Sequence, residues 1–134
     1  MNSSIFKAYD VRGIYPTDVN EEVAINISKA CVELFKTGTV VIAHDIRHGS
    51  EELARVLEKN IEQESKGEIK VVFVGLSTTP MFYFLVNHFK ASGGCMVTAS
   101  HNPKNYNGFK IVAEGAQTIS GIEVKETIEK LNIQ

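Results

Sequence analysis

The sequence predicts an α/β fold: a three-layer α/β/α domain built on a mixed, mainly parallel sheet with one antiparallel strand. Three observations carry this prediction. Short apolar runs alternate along the chain with longer segments of helical periodicity, the order expected of strand–helix units. Thr39–Ala43 and Ile69–Val74 are continuous β-rich runs, the kind found in strands covered on both faces. Only nine residues, Ala99 to Asn107, lie between Thr98, just past the apolar run ending at Val97, and the run at Gly108–Ala113. That is too short for the helical crossover of a parallel pair, so these two strands are expected to be antiparallel neighbours.

Each element has its own local reason. Ile5 to Ile14 alternates loosely through Phe6, Ala8, Val11 and Ile14, and reads as a short strand entering a loop at Gly13. Tyr15-Pro16-Thr17-Asp18 is turn chemistry. Asn20 is the expected cap of a helix opening with Glu21 and Glu22, whose charge suits a helix N-terminus. Ala24, Ile27, Ala30, Cys31, Leu34 and Phe35 share one face of it, and Gly38 is expected to end it. After the strand Thr39–Ala43 and the loop His44–Gly49, Ser50 is the expected cap of a second helix. That helix turns Leu53, Ala54, Leu57 and Ile61 inward and closes at Gly67.

The run Ile69–Val74 is expected to be a buried strand, followed by a loop over Gly75–Thr78. Thr79 is the expected cap of a third helix, with Pro80 in the favoured first position. Met81 to Ala91 is apolar on most of its surface, so this helix should be well covered. Gly93 and Gly94 lead into the strand Cys95-Met96-Val97. Ser120 with Glu123 three residues on is a capping box, and starts a last helix carrying Ile122, Ile128 and Leu131. The chain ends at Gln134 just after that helix, an ending that would suit a domain cut from a longer chain, with a stand-alone domain as the alternative.

Composition bounds the function. The 134 residues are expected to form one domain, 1–134, and a 43% hydrophobic, 22% charged composition is ordinary for a soluble globular protein. A formal charge of −2 gives no footprint for nucleic acid. No apolar run approaches the length of a membrane span, and Met1–Ile5 is no secretory signal. Cys31 and Cys95, in a helix and a strand, read as buried thiols rather than a disulfide, which points to the cytoplasm. Neither a Walker A run nor a G-x-G-x-x-G is present, so nucleotide binding has no support.

The chemistry concentrates in Gly94–Ile111. The strand gives way within one residue to Thr98-Ala99-Ser100-His101-Asn102-Pro103, small, polar and stopped by a proline. In open α/β sheets ligands bind beyond the carboxyl ends of the strands, where Ser100 would be displayed. On the residues alone, Ser100 reads first as a serine serving the turn. His101 is a poor base for it, since neighbours in extended chain point to opposite sides, and no G-x-S-x-G elbow exists. Asn102 and Pro103 shape the loop. Lys110 reads as a solvent-facing lysine on an edge strand and Arg12 as a surface arginine; a guanidinium, however, matches phosphate oxygens in two-point geometry.

TASHNP (98–103) followed by NGFK (107–110) resembles the active-serine loop of the α-D-phosphohexomutases, the phosphomannomutase and phosphoglucomutase family. Tyr9-Asp10-Val11-Arg12-Gly13, Asp45-Ile46-Arg47, Thr79-Pro80 and Gly93-Gly94 match that family as well, in its order and across nearly the whole chain. The resemblance implies that Ser100 carries the phosphate handed to the sugar. Arg12, Lys110 and His101 would supply positive charge or hydrogen bonds. Tyr9 and Asn102 would contact substrate, although packing explains Tyr9 equally well and loop backbone groups would satisfy His101.

By the same resemblance, Mg²⁺ would share an oxygen of the phosphoserine, and a sugar bisphosphate would act as activator. The phosphosugar substrate would lie between this domain and three others. Their aspartate-rich D-G-D-x-D-R metal loop, sugar-selecting loop and phosphate-binding loop are absent here. Asp45 and Arg47 are expected to brace the active loops. His44 and His48 read as ordinary loop histidines, and His88 as a mid-helix surface or packing residue. Thr78 and Thr79 could direct hydroxyls towards a phosphate. The alternative is a non-catalytic phosphosugar-binding or interaction module derived from such a domain.

Overall fold

The computed structural model describes residues 1–132; the chain end at Gln134 lies outside the described residues. The apolar runs form strands and the periodic segments form helices, in the order β1 (Val11–Ile14), α1 (Glu21–Phe35), β2 (Gly38–His44), α2 (Ser50–Glu64), β3 (Ile69–Leu76), α3 (Thr79–His88), β4 (Gly93–Val97), β5 (Tyr106–Ala113), β6 (Gln117–Ile119) and α4 (Gly121–Asn132). The strands make one sheet in the order β1-β5-β4-β2-β3, with β6 paired to β5. β2 runs parallel to β3 and β4. β5 runs antiparallel to β4, β1 and β6, so it alone opposes the other strands, as the short connection before it predicts.

Two hydrophobic clusters sit on either side of this sheet. On one face Ile27, Cys31, Leu53, Leu57, Ile61, Val124 and Ile128, from α1, α2 and α4, close over Val40, Ile42, Cys95, Phe109 and Ile111. On the other, Phe82 and Val86 of α3 pack on Val41, Ala43, Met96 and Val112. The result is the expected three layers, with three helices on one side and one on the other. Gly93 and Gly94 in β4 serve both sides. A Cβ at Gly93 would overlap the Phe35 ring, and one at Gly94 would come within 2.8 Å of the Phe82 ring. Successive strand residues point to opposite faces, so each glycine makes room for one aromatic.

Several local expectations need correction. The first segment is not a strand throughout. Ser3–Ile5 form a 3-10 turn, Phe6 bridges to Val11, and the Lys7 N–H donates to the Asp10 carbonyl at 2.8 Å, leaving only Val11–Ile14 for β1. Asn20 caps α1 as expected, its side chain accepting from the Val23 N–H at 3.1 Å. The helix ends earlier than Gly38: Lys36 takes the positive-φ turn and Gly38 opens β2. Gly49, at φ 87°, occupies the cap position of α2, and the Ser50 hydroxyl is spent elsewhere. Thr78, not Thr79, caps α3 by accepting from the Met81 N–H at 3.2 Å, which moves Pro80 one position into the helix. Ser120 accepts from the Glu123 N–H at 3.0 Å, as its capping box predicts.

Burial departs from the sequence reading in three places. β3 is an edge strand and is half-buried over most of its length, not fully covered. α3 ends at His88, which is therefore a terminal and not a mid-helix residue, and its ring stacks on Phe84 at 5.8 Å. Nor is α3 well covered. Lying alone on its face of the sheet, it buries Phe82 and Val86 but leaves Met81 and Phe84 exposed, the latter at 59%. In α4 Ile122 points outward while Val124 and Ile128 point in, because the inner face follows the phase set by Gly121. β6 has no counterpart in the sequence reading, and β5 begins two residues before Gly108.

Cys31 and Cys95 are free and buried. Burial pushes the Cys31 thiol from its ordinary 9.0 up to about 12. Cys95 is raised well above 9.0 by burial first and by its neighbour Cys31 second. Both side chains therefore stay protonated and pack as small apolar groups. No helix among the described residues is long and apolar enough to cross a membrane.

Candidate active site

The serine loop is shaped by its own backbone. Beyond β4 the Thr98 N–H still donates to the Gly108 carbonyl, at 2.9 Å. The Thr98 hydroxyl oxygen then accepts from the Ser100 N–H at 3.0 Å, which bends the chain out of the sheet. Ser100 sits at φ 54°, an uncommon region for a residue with a side chain, and is exposed. Both the backbone N–H and the side-chain amide of Asn102 donate to the Ala99 carbonyl, at 3.1 and 2.7 Å. Asn102 thus shapes the turn, and its amide oxygen is the part left for a ligand.

Asp45 and Arg47 brace this loop, as the sequence reading expects, and the bracing is extensive. Arg47 donates to the carbonyls of Ser100 (2.7 Å), Asn102 (2.6 Å), Pro103 (2.7 Å) and Tyr106 (3.1 Å). The Asp45 carboxylate accepts from the Arg47 N–H at 2.9 Å and from the Ser50 hydroxyl at 2.5 Å, and lies 3.6 Å from Arg47 Nε. Asn107 donates its amide to Ser50 Oγ and to the His48 carbonyl, while its oxygen accepts from the Gly108 N–H at 2.8 Å. Sequence reasoning missed Ser50 and Asn107 as members of this network. Asn107 lay inside the NGFK match, but nothing local marks Ser50 as anything but a cap.

Strand register decides where the cations go. Arg12 stands opposite Gly108 and Lys110 opposite Met96. With the two-residue period of a strand, Gly108, Lys110 and Val112 share the face of Met96, whereas Phe109 and Ile111 enter the larger core. Arg12 and Lys110 therefore lie on the α3 side of the sheet, towards the β1 edge, where no helix among the described residues packs over them. Arg12 pairs with the buried Asp10 at 3.8 Å. β5 lies inside the sheet between β1 and β4, not at an edge as expected; Lys110 on it is half-buried and, among the described residues, has no ion-pair partner. Gly108 lets β1 approach, since a Cβ there would overlap the Val11 carbonyl.

The remaining candidates differ in placement. His101 is exposed, and its ring makes no hydrogen bond among the described residues, so it is not occupied in satisfying the loop backbone. Tyr9 is 73% exposed, which removes core packing as its explanation. His44 is not a loop residue: it ends β2, is buried, and its Nδ1 lies 2.9 Å from the Asp45 carbonyl. His48 is in the loop and meets the edge of Tyr15 at 5.5 Å. A groove of about 470 Å³ opens beside the loop between Asp45, Ile46, Leu76, Thr78, Met96 and Thr98. Ser100, Arg12 and Lys110 do not line it, and Ser100 is exposed outside it.

A Mg²⁺ ion is held by carboxylates together with phosphate. The loop Ala99–Gly108 has no Asp or Glu, Asp10 is paired with Arg12, and Asp45 is engaged by Arg47 and Ser50. No group of three or more His, Cys, Asp or Glu able to hold a metal ion occurs among the described residues. This chain alone does not fit a Mg²⁺ site.

The sequence profile described as "Phosphoglucomutase/phosphomannomutase, alpha/beta/alpha domain I" matches residues 3–132. The chain belongs to the phosphoglucomutase/phosphomannomutase family. It is 42% identical over 120 residues to a phosphohexose mutase of Xanthomonas campestris, covering 90% of this chain and 26% of that relative. Against a phosphomannomutase of Klebsiella pneumoniae it is 41% identical over 126 residues, which is 94% of this chain and 78% of the other. A solved phosphoglucomutase/phosphomannomutase family protein of Burkholderia thailandensis superposes with a TM-score of 0.86 at 31% identity, over 98% of this chain and 31% of that one. The chain thus spans about a quarter of the Xanthomonas relative, with the fold of family domain I.

Proposed function

We propose that this chain is the phosphoserine-bearing domain of a longer phosphohexomutase polypeptide, with Ser100 as the carrier. The observation that carries the reading is the placement of Ser100: an exposed hydroxyl on a turn pinned from below, beyond the carboxyl end of β4, near the strands that hold Arg12 and Lys110. In the forward step a hydroxyl oxygen of a hexose 1-phosphate bonds to the phosphorus on Ser100, and the bond from phosphorus to Ser100 Oγ breaks. The hydroxyl proton ends on Ser100 Oγ, which leaves a free serine and a sugar bisphosphate. The bisphosphate turns over, and its other phosphate returns to Ser100 by the reverse exchange.

Little is asked of the protein beyond positioning and charge. Arg12 offers its fork to phosphate oxygens, and Lys110 stabilises the moving phosphoryl group and handles the hydroxyl proton. His101, Tyr9 and the Asn102 amide oxygen contact the sugar phosphate. Mg²⁺ and a priming sugar bisphosphate belong to this proposal, with the phosphate of Ser100 as the one metal ligand from this chain and the carboxylates from the second domain. The two buried free thiols support a cytoplasmic setting.

The test is Ser100→Ala in the full-length polypeptide, with phosphopeptide mapping of the wild type after incubation with a hexose 1,6-bisphosphate. Loss of the covalent carrier should cut turnover on the order of 1,000-fold or more. Label on Ser77, Ser92 or Ser120, or near-normal turnover without the Ser100 hydroxyl, overturns the reading. A non-catalytic module would show Ser100 unphosphorylated.

A further inference from the structure

We infer that Arg47 is a positioning residue for phosphoryl transfer, setting the place of Ser100 relative to the strand that carries Lys110; this rests on the reading of Ser100 as carrier. A guanidinium offers five N–H donors in one rigid plane. In Arg47 the two terminal nitrogens give four hydrogen bonds, to Ser100, Asn102, Pro103 and Tyr106, while Nε faces Asp45. Those acceptors span both stems of the loop. Ser100 follows β4 and Tyr106 is the first residue of β5. One planar group therefore sets the distance between the two stems, and β5 carries Lys110 and pairs with the strand of Arg12.

The effect on Ser100 is specific. Its carbonyl is turned inward to Arg47 and its N–H is held by Thr98, so the backbone is restrained on both sides of Cα. The side chain is the part left to solvent. The positive φ of Ser100 is held by these two bonds, as a strained residue at a functional site must be held by its surroundings. Core packing does not account for the 45–47 turn. Ile46, between Asp45 and Arg47, is 88% exposed, whereas the Arg47 side chain is 14% exposed. Lysine cannot replace it, because a single ammonium has three donors on one atom and cannot span four carbonyls in a plane.

The experiment compares Arg47→Lys and Arg47→Met with wild type and Ser100→Ala, all in the full-length polypeptide. It measures kcat and KM for a hexose 1-phosphate, melting temperature, and hydrogen exchange across residues 98–108. A nucleophile displaced by even 1 Å loses about 100-fold in rate, so Arg47→Lys should lose kcat on that scale with KM near wild type. Exchange in the loop should quicken while α1 and α2 keep their protection. If Arg47→Met does not fold, Arg47→Lys decides. A kcat within about twofold of wild type, or a loss confined to KM, overturns the inference. Should Ser100→Ala stay active, the carrier reading fails and this inference with it. Should Ser100→Ala be inactive and Arg47→Lys normal, the inference alone fails.

Discussion

On one face of the sheet α1, α2 and α4 leave Ile27, Leu53, Leu57 and Ile61 with no exposed surface; on the other, α3 covers Val41, Ala43, Met96 and Val112 and leaves Lys110 half-accessible. β5 shows the contrast within one strand. Phe109 and Ile111 enter the closed face and are buried, while Lys110 between them turns to the open one. A lysine under α1 would be a charge taken out of water without a partner, which costs several kcal/mol. On the open face it remains half-accessible. The closed face holds the fold together, and the open face is free to carry charge.

That division can be broken by experiment. The largest effect should come from the closed face. Leu57→Ala removes a side chain with no exposed surface and should lower unfolding stability by about 2–5 kcal/mol in urea titration. A loss below about 1 kcal/mol would show that the three-helix face is not the main store of stability.

The next effect is set by pH. The folded state raises Cys31 from 9.0 to about 12, so the folded chain keeps a proton that the unfolded chain releases. The contribution is complete below 9.0 and is lost as pH rises towards about 12, at up to about 1.4 kcal/mol per pH unit for one thiol. Urea titrations on either side of pH 9.0 should show stability falling with rising pH, and less steeply in Cys31→Ala. An equal slope in both proteins would mean that the thiol is not sequestered by the α1 face.

The smallest effect should come from the open face. Phe84→Ser alters a group that is largely in solvent, and should change stability by no more than about 0.5 kcal/mol. A markedly larger loss from Phe84→Ser would show that α3 is held by more than Phe82 and Val86.

Local signals were read correctly where the competing partners are also local. Asn20 caps α1 because its side chain reaches the N–H three residues on. Leu53, Leu57 and Ile61 point inward because a 3.6-residue period puts them on one face. Ser50 and Thr79 were misread for one reason: each is a good cap by type, but Gly49 and Thr78 hold the capping positions. The Ser50 hydroxyl is drawn to Asp45, and no helix rule anticipates that. α3 was misread because apolar composition reports what could be buried, and only the count of layers on its side of the sheet decides what is.

The sequence by itself determined the succession of strands and helices, the reversal of β5 and the address of the serine loop. Each depends on periodicity, turn residues or a connection length read over a few positions. Tertiary structure alone decided that Lys110 and Arg12 share the α3 side of the sheet, that β3 is an edge, and which backbone groups Arg47 holds. Arg47 reaches the Ser100 carbonyl 53 residues away and the Tyr106 carbonyl 59 residues away. Its acceptors are backbone oxygens, which every residue possesses. The choice of those acceptors leaves no mark in residue type or spacing, and it exists only once β2 and β4 lie side by side.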